Sequence, residues 1–255
     1  MQNRMVIKMQ NRIVIKLGGS ILTDEFQGER FVKKNVMAIA KELLPHRDRI
    51  IAVTGGGWMA HKLARSLISS GDLDLDLISK LKIELCDLAL KTAACLREAH
   101  MRPVVLDPIA VGRVGEYRAK GFTPLIHPGV EIEDERIKII SGAGMHNQNT
   151  QELSAEMVIF TTDMDYIYRY KEGEMEFGEG IRELTQEIFN EIEFKKRSKL
   201  DVTGEMGHKA EMMLELSRYG IKSCVLNGLK EGRVLNSIQG QVVMGIQPLN
   251  GKKIT

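Results

Sequence analysis

Two hydrophobic patterns alternate along the chain. Short apolar runs at 13–17, 50–57, 102–106, 121–127, 136–140, 157–162 and 223–226 have the length and β-branched content of buried strands. Between them, apolar positions recur every three or four residues. Phe31, Val32, Val36, Ile39, Ala40 and Leu43 predict a helix over 30–44 that Pro45 ends. Residues 59–70, 206–219 and 231–238 read the same way, with 152–156 and 183–192 as shorter helix candidates. Leu73–Asp76 alternates like a strand, yet Leu77, Leu81, Leu85, Leu88 and Leu96 carry helical spacing onward. That predicts one long helix from near Asp74 or Asp76 to about Glu98. Residues 169–180, charged and glycine-bearing, predict an exposed hairpin or loop. Strand–helix alternation with continuous apolar strands predicts an α/β fold. We expect a three-layer α/β/α sandwich around a mostly parallel central sheet.

The amino end holds a near-duplicate, Gln2-Asn3-Arg4-Met5-Val6-Ile7-Lys8 and then Gln10-Asn11-Arg12-Ile13-Val14-Ile15-Lys16. The second copy reads as the first core strand and residues 1–12 as an extension. A single domain over 13–255 follows, with lobes dividing near residue 145. Its 36 basic and 34 acidic side chains leave a net charge of +2, so bulk charge points to neither nucleic acid nor membrane. No apolar run approaches the ~20 residues of a membrane-spanning helix. Cys86, Cys95 and Cys224 form no CxxC pair, which fits reduced thiols in a cytoplasmic protein and not a zinc site.

Candidate chemistry gathers where strands run into glycine. Residues 50–54 end in Gly55-Gly56-Gly57, and a helical segment carrying His61 follows. A strand, a glycine turn and a helix N-terminus bring bare backbone N–H groups up to an anion. Lys16 precedes Gly18-Gly19-Ser20 in the same way, and Ser141-Gly142-Ala143-Gly144 follows 136–140. Lys209 lies near the start of the helix after Gly204, where a cation opposes the helix dipole and a bound phosphate would explain it. Taken singly, Lys16 could equally snorkel, His61 be a satisfied half-buried histidine and Lys209 a surface cation. Asp72, Asp74 and Asp76 read as helix caps and not as a metal cluster, because the glycine and terminal glutamate of an EF-hand loop are missing. Neither GxxxxGK[ST] nor GxGxxG occurs. Two lysines and two glycine cradles without a nucleophile suit phosphoryl transfer, which needs mainly positioning and charge neutralisation.

Lys16-Leu17-Gly18-Gly19-Ser20, Val53-Thr54-Gly55-Gly56-Gly57, Thr162-Asp163-Met164-Asp165 and Asp201-Val202-Thr203-Gly204 with Lys209 resemble the amino acid kinase family in order and spacing. His61, the 201–209 segment, Val225-Leu226-Asn227-Gly228 and Gly232-Arg233 are most similar to its isopentenyl phosphate kinase branch. The resemblance implies a homodimeric small-molecule kinase using ATP and Mg²⁺. Lys16 and Lys209 would act on the transferred phosphoryl group, with Gly18, Gly19, Gly55 and Gly56 as backbone donors. His61, with Gly57, Ser141 and Gly142, would line the acceptor. Ser20, Thr162, Asp163, Asp165 and Gly204 would border the nucleotide.

The chain departs from that branch at several positions. Glu25 follows Thr23-Asp24 where the branch has a lysine, and Pro128-Gly129 replaces a Gly-Asp that organises the lysines. Ala143-Gly144 replaces Asp-Asp, Tyr166 replaces the glycine of DVDG, and Glu205 replaces a glycine. A carboxylate at 25 would cost on the order of a few kcal/mol per close phosphate contact at an effective dielectric of about 20. Two further readings follow: a regulatory or storage protein that binds nucleotide or oxyanion without turnover, and a uridylate-type kinase on the same fold.

Overall fold

A computed structural model describes residues 12–70, 74–133, 136–140, 155–165, 167–168, 180–191, 205–241 and 245–248. Strand β1 (Arg12–Leu17) leads through a four-residue helix, α1 (Gly19–Leu22), to α2 (Lys33–Leu43). Strand β2 (Ile50–Thr54) runs into α3 (Gly57–Ser70), and α4 (Leu75–Glu98) follows. Next come β3 (Pro103–Leu106), α5 (Val114–Ala119), β4 (Thr123–Ile126), β5 (Gly129–Glu133) and β6 (Arg136–Ile140). The second half holds β7 (Ala155–Thr162), β8 (Ile167–Tyr168), β9 (Gly180–Ile181), β10 (Glu183–Leu184) and α6 (Gln186–Glu191). It ends with α7 (Glu205–Arg218), β11 (Lys222–Asn227), α8 (Arg233–Ile238) and β12 (Gly245–Pro248).

The main sheet has the order β10-β12-β11-β7-β1-β2-β4-β3. From β11 to β3 every pair is parallel, and β12 joins antiparallel to β11. Side chains alternate across it as a pleated strand requires. Val14, Ile51, Val53, Val158, Phe160 and Val225 pack with Met212, Met213 and Leu216 of α7 and with Val114 of α5. Ile13, Ile15, Leu17, Ala52, Ile159 and Leu226 pack on the other face against Val36, Ile39 and Leu43 of α2, Leu88 and Leu96 of α4, and Val234 of α8. Two apolar faces, each covered by helices, make the expected three-layer sandwich. A third cluster joins Ala60, Ala64 and Leu67 of α3 to Ile78, Leu81 and Leu85 of α4 and Val130 of β5.

Asp74 is the N-cap of α4, its carboxylate accepting from Leu77 N at 2.9 Å, which agrees with the capping reading. The 136–140 strand forms as expected and pairs antiparallel with β5 in a hairpin separate from the main sheet. Two helix expectations are corrected. Ala155 and Glu156, at the end of the 152–156 helix candidate, lie in β7. Residues 183–192 divide into a two-residue strand and a helix that starts at Gln186, where Thr185 Oγ1 accepts from Ile188 N at 3.2 Å. Arg12, within the second copy read as the first core strand, is the first residue of β1.

Candidate active site

Parallel strands bring all their carboxyl ends to one edge, the usual ligand edge of such a sheet. At its centre the neighbours β2, β1 and β7 run directly into Gly55, Gly18 and Asp163. The first two turns lie directly on each other. Gly55 N donates to Leu17 O at 2.7 Å, and a Cβ on Gly55 would sit 2.7 Å from Gly19 N. On the other side of β1, Gly18 N donates to Thr161 Oγ1 at 3.4 Å, and Thr161 Oγ1 donates to Lys16 O at 3.0 Å. The backbone N–H groups of Gly18 and Gly55 are therefore engaged within the protein. These two glycines allow the turns to approach.

Lys16 is half-buried and falls on the same face of β1 as Val14, the face that α7 covers. Lys209, half-buried on α7, is close enough to act on its charge. Burial first, and the Lys209 charge second, push the Lys16 ammonium down to about 7. His61 is the fifth residue of α3 and half-buried, within two turns of the Gly55-Gly56-Gly57 cradle.

The Thr162–Asp165 segment continues β7 onto the same edge. Thr162 Oγ1 donates to Asp163 Oδ1 at 3.3 Å, and Asp165 is paired with Arg233. Asn227, at the end of the neighbouring β11, donates through Nδ2 to Asp163 O at 3.0 Å. Sequence reasoning gave no role to Asn227, Thr161 or Arg233. The signal for each was its place at a strand end or next to a glycine.

Ser141, Gly142, Ala143, Gly144 and the 201–204 segment with Gly204 lie outside the described residues. Glu25 occupies an exposed turn, where Asp24 Oδ1 accepts from Phe26 N at 3.0 Å and Gln27 N at 3.1 Å. Exposure moves any charge repulsion from Glu25 toward the water limit of about 1 kcal/mol at 4 Å, below the expected cost. Gly129 is more restrictive. It is buried, and a Cβ there would sit 2.6 Å from Pro108 Cγ. Among the described residues no group of three His, Cys, Asp or Glu side chains could hold a metal ion, and no helix is long and apolar enough to cross a membrane. A groove of about 240 Å³ between α6 and α7, lined by Phe189, Leu214, Arg218 and Tyr219 among others, includes none of the candidate residues.

The model of the amino acid kinase family matches residues 11–227, which span every described candidate residue. The chain belongs to the amino acid kinase family. That membership makes it a phosphotransferase of the small-molecule kinase class. It is 26% identical over 228 residues to the isopentenyl phosphate kinase of Thermoplasma acidophilum, covering 84% of this chain and 88% of that protein. It is 24% identical over 264 residues to that of Methanothermobacter thermautotrophicus, covering 92% and 98%. A crystal structure of the T. acidophilum isopentenyl phosphate kinase product complex superposes with a TM-score of 0.72 at 21% identity, covering 93% of this chain and all of that one. The family thus carries through the fold even where these sequences have diverged widely.

Proposed function

We propose that this kinase transfers the terminal phosphoryl group of ATP to isopentenyl phosphate, or to a phosphate monoester or carboxylate close to it in kind. The single observation that carries the reading is Lys16 beside the two abutting glycine turns, with Lys209 of α7 close enough to act on its charge. The named relatives support the choice of acceptor.

In this reading an oxygen of the acceptor attacks the γ-phosphorus, the bond to the β–γ bridging oxygen breaks, and ADP leaves. A phosphate or carboxylate acceptor is already ionised, so no strong base is needed. Lys16 and Lys209 spread positive charge over the transferred group, and Gly19 and Gly56 offer the backbone donors that Gly18 and Gly55 do not. His61, Gly57, Ser141 and Gly142 line the acceptor. Ser20, Thr162, Asp163, Asp165 and Gly204 border the nucleotide. Mg²⁺ arrives with the phosphates and asks for one or two carboxylates. Asp163, in the segment that would border the nucleotide, would supply one. The same reading makes the protein a cytoplasmic homodimer.

One observation favours a second reading, a nucleotide-binding protein without turnover. The carboxylate that organises the lysines in the resembling branch is absent at Gly129, and Pro108 fills its space. Mixing the protein with Mg-ATP and isopentenyl phosphate and following ³¹P NMR separates the two. A new diphosphate signal, lost in Lys209→Ala, supports the kinase. ATP left intact with this acceptor, with nucleoside monophosphates and with other phosphates and carboxylates, despite measurable binding, replaces it with the binding protein.

A further inference from the structure

Among the described residues, the segment after β7 is fastened by the turn between β11 and α8. Gly228 N donates to Thr162 O at 2.8 Å, and Asn227 bridges the two segments, its Nδ2 on Asp163 O and its Oδ1 accepting from Leu229 N at 2.9 Å. Arg233, the first residue of α8, pairs with Asp165 at 2.5 Å. Its side chain is 16% exposed and that of Asp165 33%. α8 is itself anchored from α2. Both carboxylate oxygens of Glu42 are used, Oε1 by Gly232 N at 2.8 Å and Oε2 by Leu235 N at 2.9 Å. Glu42, Asn227 and Arg233 have no part in the phosphoryl transfer proposed above.

We infer that Arg233 is a positioning residue for the nucleotide: it neutralises Asp165 and holds the Thr162–Asp165 segment on a platform that Glu42 and Asn227 fix. The inference rests on the reading that this segment borders the nucleotide. A nucleoside di- or triphosphate brings several negative charges to that border, and a carboxylate left unpaired beside them would repel them. An exposed ion pair would contribute little. This one is mostly withdrawn from water, so removing one partner leaves an uncompensated charge. Asp165 thus serves the nucleotide through its place in the loop, and its charge must be cancelled.

Calorimetric titration of the full chain with Mg-ADP, and separately with isopentenyl phosphate, tests this. Arg233→Ala should weaken Mg-ADP binding by roughly tenfold, a loss of about 1.4 kcal/mol, and leave isopentenyl phosphate binding unchanged. Arg233→Lys should recover part of the loss. Arg233→Ala combined with Asp165→Asn should recover most of it, since no orphaned charge remains. Equal losses for both ligands, a lowered melting temperature with Mg-ADP affinity intact, or no recovery in the double variant would each overturn the inference and leave the nucleotide reading standing. Wild-type protein that binds no Mg-ADP would overturn both.

Discussion

Gly18 lies flat against Thr161, so close that a Cβ on Gly18 would come within 2.3 Å of the Thr161 carbonyl oxygen. The Thr161 hydroxyl completes the contact, accepting from Gly18 N and donating to Lys16 O. Backbone on both sides of the clash cannot yield, because β1 and β7 are paired in parallel there, Leu17 opposite Thr161. Gly18→Ala should therefore cost at least about 3 kcal/mol, the upper end of overpacking. Thr161→Val keeps the shape but strands the Gly18 donor, at about 1–3 kcal/mol. Urea unfolding of both variants checks the order, and Gly18→Ala as stable as wild type would refute the packing.

The Lys16 ammonium titrates near 7 in the folded chain, against 10.5 for an unperturbed lysine. Between those values the unfolded chain holds more protons than the folded one, so stability should rise with pH across that window. Below about 7 the cost of the buried charge is fully present. An anionic ligand favours the charged form, so nucleotide binding at pH 8 should draw a proton onto Lys16. Titration with Mg-ADP in buffers of different ionisation heat should register an uptake approaching one proton in wild type. Lys16→Arg, charged throughout, should register none. Equal heats in all buffers would remove Lys16 from the binding site.

Pro108 and Gly129 compete for one space. Gly129→Asp alone should lose about 1–3 kcal/mol through overpacking. Adding Pro108→Ala, which takes away the ring atoms the new side chain meets, should return most of it. If the resembling branch is a guide, the double variant should also turn over ATP faster than wild type. A double variant as unstable as Gly129→Asp would show that the obstruction lies elsewhere.

Glu25 sits in solvent, so Glu25→Lys should change stability by no more than about 0.5 kcal/mol. Its effect should fall on nucleotide binding instead, strengthening it at low salt and less so at 0.5 M, where screening shortens the reach of exposed charges. Affinity unchanged at both salts would mean that the turn carrying residue 25 stands clear of the phosphates.

Much of this edge was legible because strand ends and glycine turns are local signals. The 13–17 run places Lys16 two residues before the Gly18 turn, and strand alternation alone sets it on the face that α7 covers. What escaped were contacts between segments far apart in the chain. Thr161 meets Lys16 across 145 positions, and Glu42 reaches Leu235 across 193, with no periodicity to announce either. The β5–β6 hairpin was hidden for another reason. Only Asp134-Glu135 separates its strands, and that pair lacks the Asn-Gly or Asp-Gly signal, so residues 136–140 read as one more buried strand. Gly129 was noticed as a missing carboxylate, but the proline that closes its space could be seen only in three dimensions.

Thr54 ends β2 immediately before the glycine cradle, fully buried, and its hydroxyl has no hydrogen-bond partner among the described residues. Strand alternation places it with Ala52 on the face that α2 and α4 cover, away from Lys16. A buried hydroxyl without a partner costs about 1–3 kcal/mol in desolvation, and removing it by an isosteric change recovers that cost. Thr54→Val should therefore raise stability by roughly 1 kcal/mol, against the usual direction of core substitutions. It should leave ligand affinities alone, because the side chain faces the apolar layer and not the glycine edge. A stability loss would mean that a water bonds the hydroxyl in solution. A loss of nucleotide or acceptor affinity without a stability change would mean that Thr54 reaches the ligand, and would move it into the site.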